Sequence, residues 1–203
     1  NEHEVGLLDG YLKRGGRLLV LLGPRQGDDR LPTLLASWGA KIGRDVVIDR
    51  EVRLFEGPRL GVVPISQTYG AHPITENFRD ITVYPQTRTV EPEVNGKKGL
   101  TATALVKTSD SSWAESAVDD VFEKGVASVD DSDRRGPLSI AVAATAKLAD
   151  MGIEPPADAP KKRDEARLVV FGSSLFADNQ QFVQSRLNGD LFLNAIGWLV
   201  GQE

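Results

Sequence analysis

Two segments near the end of the chain, Arg167-Leu-Val-Val-Phe-Gly-Ser-Ser-Leu-Phe-Ala-Asp-Asn179 and Asn188-Gly-Asp-Leu-Phe-Leu-Asn-Ala-Ile-Gly-Trp198, constrain the fold most. The first is an apolar run of strand length that breaks at Gly172 into small residues, and the second is a helix started by Asp190. A strand, a turn and a helix in this order predict the edge of an α/β sheet. The helix is apolar nearly all round, through Leu191, Phe192, Leu193, Ala195, Ile196, Trp198, Leu199 and Val200. It must be buried on more than one side, or lend a face to a partner or to further chain. The turn at Gly172 lies where open α/β sheets place ligands, yet Gly172-Ser-Ser-Leu-Phe176 lacks the second glycine of a hydrolase nucleophile elbow.

The rest of the chain extends this pattern. Val5, Leu8, Tyr11 and Leu12 recur at helical spacing until Gly15-Gly16 stops the helix before the strand Arg17–Leu22. A polar loop, Gly23–Asp29, precedes a second helix marked by Leu31, Leu34, Leu35 and Trp38, and Asp45–Asp49 supplies a short strand. This β-α-β order predicts a parallel sheet with right-handed crossovers. From about 50 to 99 five prolines break the pattern into short β-like runs, among them Gly61–Pro64 and Ile81–Tyr84. Further strands are predicted at Leu100–Thr108 and Pro137–Ala144, with Ser109–Glu115 capping a short helix between them. The Pro-rich, charged stretch Met151–Arg163 predicts a mobile loop, at about 150–165. One domain spanning 1–203 is expected: a three-layer α/β sandwich with a mostly parallel central sheet, flavodoxin-like in build.

Composition removes several classes of function. A net charge of -5 argues against the basic footprint that nucleic acid requires. The absence of cysteine excludes thiolate nucleophiles, thiolate metal sites and disulfides. No stretch approaches the ~20 apolar residues of a membrane span, so this piece is expected to be soluble. The chain opens at Asn1 and its only methionine is Met151, which reads as a processed product or a piece of a longer protein.

Each chemical signal has an ordinary structural reading beside it. The only histidines are His3, at the terminus, and His72, in Tyr69-Gly-Ala-His-Pro-Ile-Thr75. A catalytic triad would have to be built on His72 alone, and its ordinary role is to hold a loop by hydrogen bonds. Gly23-Pro-Arg-Gln-Gly27 has neither the Gly-Lys-Ser/Thr end of a phosphate loop nor dinucleotide spacing, although Arg25 could meet an anion at the following helix. Ser109, Ser112, Ser173 and Ser174 follow strands and could be nucleophiles if a base lay nearby; capping, with Trp113 packed under the loop, is the alternative. Asp178 and Asn179 read as turn and cap residues, and the aspartates from Asp119 to Asp133 do not have EF-hand spacing. The ligand-binding candidates are therefore Arg25, His72, Ser109, Ser112, Trp113, Ser173, Ser174 and Asn179. No catalytic residue, metal or cofactor is assigned.

Five segments in order, Tyr11–Val20, His72–Thr75, Lys107–Glu115, Leu168–Phe176 and Asn188–Leu199, together resemble the auxiliary domain of uncharacterised ABC-type transport systems, the group that includes the gliding-motility auxiliary proteins. The resemblance implies a class I glutamine-amidotransferase-like α/β fold without its catalytic cysteine, shared with a subunit of the intraflagellar transport complex. It further implies a non-enzymatic extracytoplasmic binding or scaffolding module beside an ABC permease and ATPase, tethered to the membrane by segments outside this chain. One departure stands out: Gly172-Ser-Ser-Leu-Phe176 replaces the family's Gly-Asp-Ser-Asp-Phe, losing two acidic groups from the turn. The alternatives are a small-molecule domain, sugar-like in ligand, using the strand ends near Gly23, Thr108 and Gly172, and a serine-dependent hydrolase built on Ser112 or Ser174 with His72.

Overall fold

Glycines set the first turn of the chain, between α1 (Glu2–Lys13) and β1 (Arg17–Leu21). Gly15 has φ +77°, and a Cβ on Gly16 would lie 2.4 Å from the Tyr11 ring, so the helix can double back onto the strand only with both glycines. The computed structural model describes residues 2–25, 27–50, 61–154 and 163–202. After β1 come α2 (Arg30–Ser37), β2 (Ala40–Ile42), β3 (Val46–Ile48), β4 (Ile65–Ser66), β5 (Thr68–Tyr69), a 3-10 turn (Pro73–Thr75), β6 (Thr82–Val83) and β7 (Val90–Pro92). Then follow β8 (Leu100–Lys107), β9 (Trp113–Glu115), a π-helical turn (Asp120–Lys124), β10 (Arg134–Arg135), β11 (Ser139–Lys147), β12 (Glu165–Phe171), α3 (Asn179–Gln184) and α4 (Arg186–Val200).

The main sheet has five strands in the order β1-β12-β11-β8-β5, and it contains all four of the long strands expected to share a sheet. Its directions overturn the expected mostly parallel, flavodoxin-like or class I glutamine-amidotransferase-like build. Only β1 and β12 pair parallel, Leu19 opposite Val169, whereas β11 is antiparallel to both β12 and β8, and β5 to β8. The reason lies in the connections. A parallel neighbour needs a crossover of a dozen or more residues laid over a sheet face, usually a helix. Among the described residues between Leu100 and Phe171 the one helical piece is the five-residue π turn, so β8, β11 and β12 fold back on one another.

The β-α-β reading fails at the same level. α2 leads to β2, which pairs with β7, and β3 leaves the main sheet to pair with β9 in a small sheet ordered β10-β9-β3. The short helix expected after β8 is also absent: Ser109–Ser112 turn straight into β9. α4 begins four residues before Asp190, behind the separate helix α3. The predicted mobile loop lies, from 155 to 162, outside the described residues. Before it, Met151 and Ile153 pack against the core.

Both faces of the main sheet are covered. On one, Leu18, Val20, Val142, Leu168 and Val170 meet Leu12 of α1, Leu34 and Leu35 of α2, and β2 and β7. On the other, Val169, Phe171 and Ala143 meet Leu191, Ala195 and Trp198 of α4 and Ile74 of the 3-10 turn. A third cluster of Val46, Ile48, Trp113 and Val121 lies under the small sheet. The near-continuous apolar run of β12 is thus explained: consecutive residues feed opposite cores.

Candidate functional site

β8 is antiparallel to β11, and β11 to β12, so β1, β12 and β8 all run the same way. Their carboxyl ends, at Gly23, Gly172 and Thr108, therefore meet on one edge of the sheet. Arg88 ties this edge together. Its side chain is buried, Nε donates to the Gly43 carbonyl at 2.8 Å and Nη1 to the Gly23 carbonyl at 3.1 Å, while its backbone N–H donates to the Gly172 carbonyl at 2.9 Å. Burial draws its pKa down, and nearby Asp45 partly offsets this. A Cβ on Gly172 would lie 2.1 Å from the Arg88 carbonyl oxygen. The glycine that suggested a functional turn is required by close backbone approach.

Beside Arg88 opens a cavity of about 470 Å³, lined by Pro24, Arg25, Asp29, Arg44, Asp119 and Glu123. The Arg25 guanidinium stands 5.2 Å over the Phe122 ring, and Arg44 pairs with Asp29. Three arginines and three carboxylates suit a ligand or partner carrying both signs of charge rather than a simple anion. Behind Arg88, the buried Asp45 accepts from the Thr89 N–H at 2.8 Å and the Thr89 hydroxyl at 2.6 Å, and pairs with Arg134 at 3.3 Å.

At the end of β8, the fully buried Asp49 organises the serine turn. Ser109 Oγ donates to Asp49 Oδ1 at 2.8 Å, and Ser111 Oγ lies 3.4 Å from the same oxygen. Ser112 is buried, donates to the Ser109 carbonyl at 2.8 Å and lies 2.7 Å from Thr108 Oγ1. Trp113 packs beneath, its Nε1 donating to Glu115 at 3.2 Å and Arg50 stacking 5.0 Å over its ring. Ser173 is fully buried and donates to the Pro85 carbonyl, whereas Ser174 is exposed beside Gly23. Asn179 is the first residue of α3, whose cap is Asp178, accepting from the Gln181 N–H at 3.0 Å.

His72 belongs elsewhere. Its Nδ1 accepts from the Ile74 N–H at 3.2 Å, and its ring meets Trp198 edge-on at 4.8 Å. The Trp198 ring is also covered, at 4.7 Å, by Arg167, near the start of β12 and so toward the sheet end opposite Ser174. His72, Tyr69, Phe78 and Arg79 line a second cavity of about 620 Å³ on the β5 side. The structure therefore brings Arg25 and Ser174 to the β1/β12 end and Ser109, Ser112 and Trp113 to the β8 end of one edge, and leaves His72 out. Among the described residues no cluster of three histidine or carboxylate side chains suits a metal ion, and no helix is long and apolar enough to cross a membrane.

Arg88, Asp45 and Asp49 were not among the sequence candidates. Asp45 and Asp49 bracket the run Val46-Val47-Ile48, a signal that charges flank a buried strand. Thr87-Arg88-Thr89 carries no such mark, because nothing local shows that a polar tripeptide in a Pro-broken segment is buried.

A mixed sheet covered on both faces, with charged turns on one edge, defines a fold shared with the N-terminal domain of mmIFT52. That structure aligns with a TM-score of 0.61 at 17% identity, covering 98% of this chain and 71% of the other. The likeness establishes the fold alone. The chain belongs to the ABC-type uncharacterized transport system family, whose model matches residues 1–195. The family is that of an auxiliary component of ABC-type transport. Comparison with curated proteins finds no match.

Proposed function

We propose that this chain is a non-catalytic, extracytoplasmic binding or scaffolding domain of a bacterial ABC-type transport system, working beside the permease and ATPase and held at the membrane by segments outside it. The family match over residues 1–195 supports the transport role. The observation favouring binding over catalysis is the use of the candidate hydroxyls. Ser109 is engaged by Asp49, Ser112 by Thr108 and the Ser109 carbonyl, and Ser173 by the Pro85 carbonyl, while the His72 imidazole lies against Trp198. A nucleophile needs a base within hydrogen-bond reach and a third group orienting that base. The charged edge of Arg25, Arg44, Asp119 and Glu123 is the surface on which a partner or ligand would act.

The experiment is a transport assay and a co-purification of permease and ATPase with the full-length protein. Arg25→Glu and Arg44→Glu should weaken co-purification and transport, while His72→Ala and Ser112→Ala should leave both intact where the fold survives. A hydrolase activity abolished by His72→Ala in a folded protein would replace the reading with the serine-hydrolase one. The 470 Å³ cavity favours a second reading, a small-ligand domain, because such sites begin at roughly 300 Å³. A thermal shift with sugars or zwitterions, lost in Arg25→Glu, would support it.

A further inference from the structure

We propose that the chain pairs with a second copy of itself across a twofold axis through the open edge of β1, which joins the two main sheets into one. Among the described residues no strand pairs with the outer side of β1. The Leu22 N–H donates to the Phe171 carbonyl and the Arg167 N–H to the Gly16 carbonyl. In a parallel ladder alternate residues bond the same neighbour, so the even-numbered residues of β1 face β12, and Arg17, Leu19 and Leu21 turn their N–H and C=O groups outward, the Arg17 carbonyl accepting there from Tyr11 Oη with one of its two lone pairs. An antiparallel mate centred on Leu19 would pair Leu19 with its own copy and Arg17 with Leu21, every pair of the hydrogen-bonded type.

The occupant is identified by the helix above this edge. α1 turns Asp9 toward α2, where it accepts from Trp38 Nε1 at 3.0 Å, while on its other flank Tyr11 Oη reaches the Arg17 carbonyl of β1 at 3.3 Å. That flank carries Glu4, Leu7, Tyr11 and Arg14, all exposed, at the i, i+3, i+7, i+10 spacing of one helical stripe. The stripe is complementary to itself. Set antiparallel to a copy about residue 9, Glu4 meets Arg14, Leu7 meets Tyr11, and each contact occurs twice, as a twofold interface requires. Leu7 and Tyr11, 57% and 41% exposed, would be covered in the same step.

On the opposite sheet face α4 packs on β1 and β12. It turns Asn194 toward Ile74, leaving the apolar Leu193, Ile196 and Val200 exposed. The centres of β1 and α4 then fall at about one height. Leu19 is two residues above Arg17, about 6.6 Å at strand rise. On the α1 side, Tyr11 Oη bonds the Arg17 carbonyl at 3.3 Å, which ties the helix to the start of β1. Leu193 is five residues before Trp198, about 7.5 Å, and Trp198 is held at the level of Arg17 by Arg167, the partner of Arg17 in the sheet. One axis can therefore serve β1 and α4 together. A helix seated between β1 and β12 lies about 5 Å from that axis, which brings it about 10 Å from its mate, the usual helix packing distance.

The test is sedimentation equilibrium of the 203-residue chain over a wide concentration range, with circular dichroism of each variant to verify folding. A dimer is expected. Glu4→Arg or Arg14→Glu alone should weaken it about tenfold or more, since symmetry places each reversed charge at two contacts, and the Glu4→Arg/Arg14→Glu double variant should restore it. Leu193→Glu, at a position already exposed, should also weaken it. A monomer at every concentration, as expected if another protein's strand is the natural occupant of β1, would overturn the proposal. So would a dimer indifferent to the single reversals.

Discussion

Arg88 carries more of the architecture than any surface arginine could. Its guanidinium satisfies carbonyls at Gly43 and Gly23, and its backbone joins Gly172, so three chain segments close on one buried cation. Arg88→Met keeps the aliphatic stem but strands those two acceptors. It is expected to cost about 2–4 kcal/mol in urea denaturation. Arg88→Lys should recover only part, because one ammonium does not reproduce the planar fork. Gly172 makes the complementary point. An added methyl would press on the Arg88 carbonyl from 2.1 Å, so Gly172→Ala should destabilise by about 1–3 kcal/mol in the same measurement, although its neighbour Ser174 is exposed. A Gly172→Ala protein as stable as the parent would show that the turn has room and that its glycine serves something else. Asp49 acts similarly at the end of β8, where one carboxylate shapes the serine turn.

At the scale of elements, the Pro-broken segment earns its place through a chain of hydroxyls. Tyr69 Oη lies 2.9 Å from Thr82 Oγ1, which lies 2.7 Å from Tyr84 Oη, linking β5, β6 and the strand end beyond it. Asn188 of α4 extends the tie, accepting from the Val83 N–H at 2.9 Å and donating to the Val83 and Phe176 carbonyls at 2.8 and 3.1 Å. Burial raises the Tyr84 phenol well above its ordinary range, and Tyr69 shifts the same way. The folded protein thus keeps protons that the unfolded chain releases above about pH 10. This contribution to stability is fully present below that pH and declines as pH rises past it. Tyr84→Phe should therefore lose stability less steeply than the parent on raising pH through that range, as measured by denaturant titration at each pH. Phenolate absorbance should show Tyr84 ionising only as the protein unfolds. An early, reversible ionisation would mean that water reaches the ring.

For the whole molecule, the three tryptophans fall one to each apolar cluster: Trp198 with α4, Trp38 with α2, and Trp113 under the small sheet. Trp38 and Trp198 report on opposite faces of one sheet, whose strands feed both cores through alternate residues. Fluorescence of variants retaining only Trp38 or only Trp198 should give coincident denaturation midpoints, as a single cooperative unit requires. Separate midpoints would divide the chain into independently folding parts.

By itself the sequence determined the four long strands of the main sheet and the glycines that stop α1, because period, apolar run length and turn chemistry are local properties; the two-residue β5 carries no such pattern. Arg17–Leu22, Leu100–Thr108 and Arg167–Phe171 were legible for that reason. The convergence of their carboxyl ends was expected from a parallel sheet and arises otherwise, because β11 lies antiparallel to both β12 and β8. Strand direction elsewhere was decided by tertiary structure. β11 reads as the same kind of apolar run whichever way it lies, and it lies antiparallel where, among the described residues between Leu100 and Phe171, no crossover helix returns the chain. The candidate site divides along the same line. Arg25 and the serine turns could be found as loop chemistry after strands, whereas Arg88 and Asp49 matter because distant segments close over them. Burial of a polar side chain is set by what packs against it from far along the chain, and no local pattern records that.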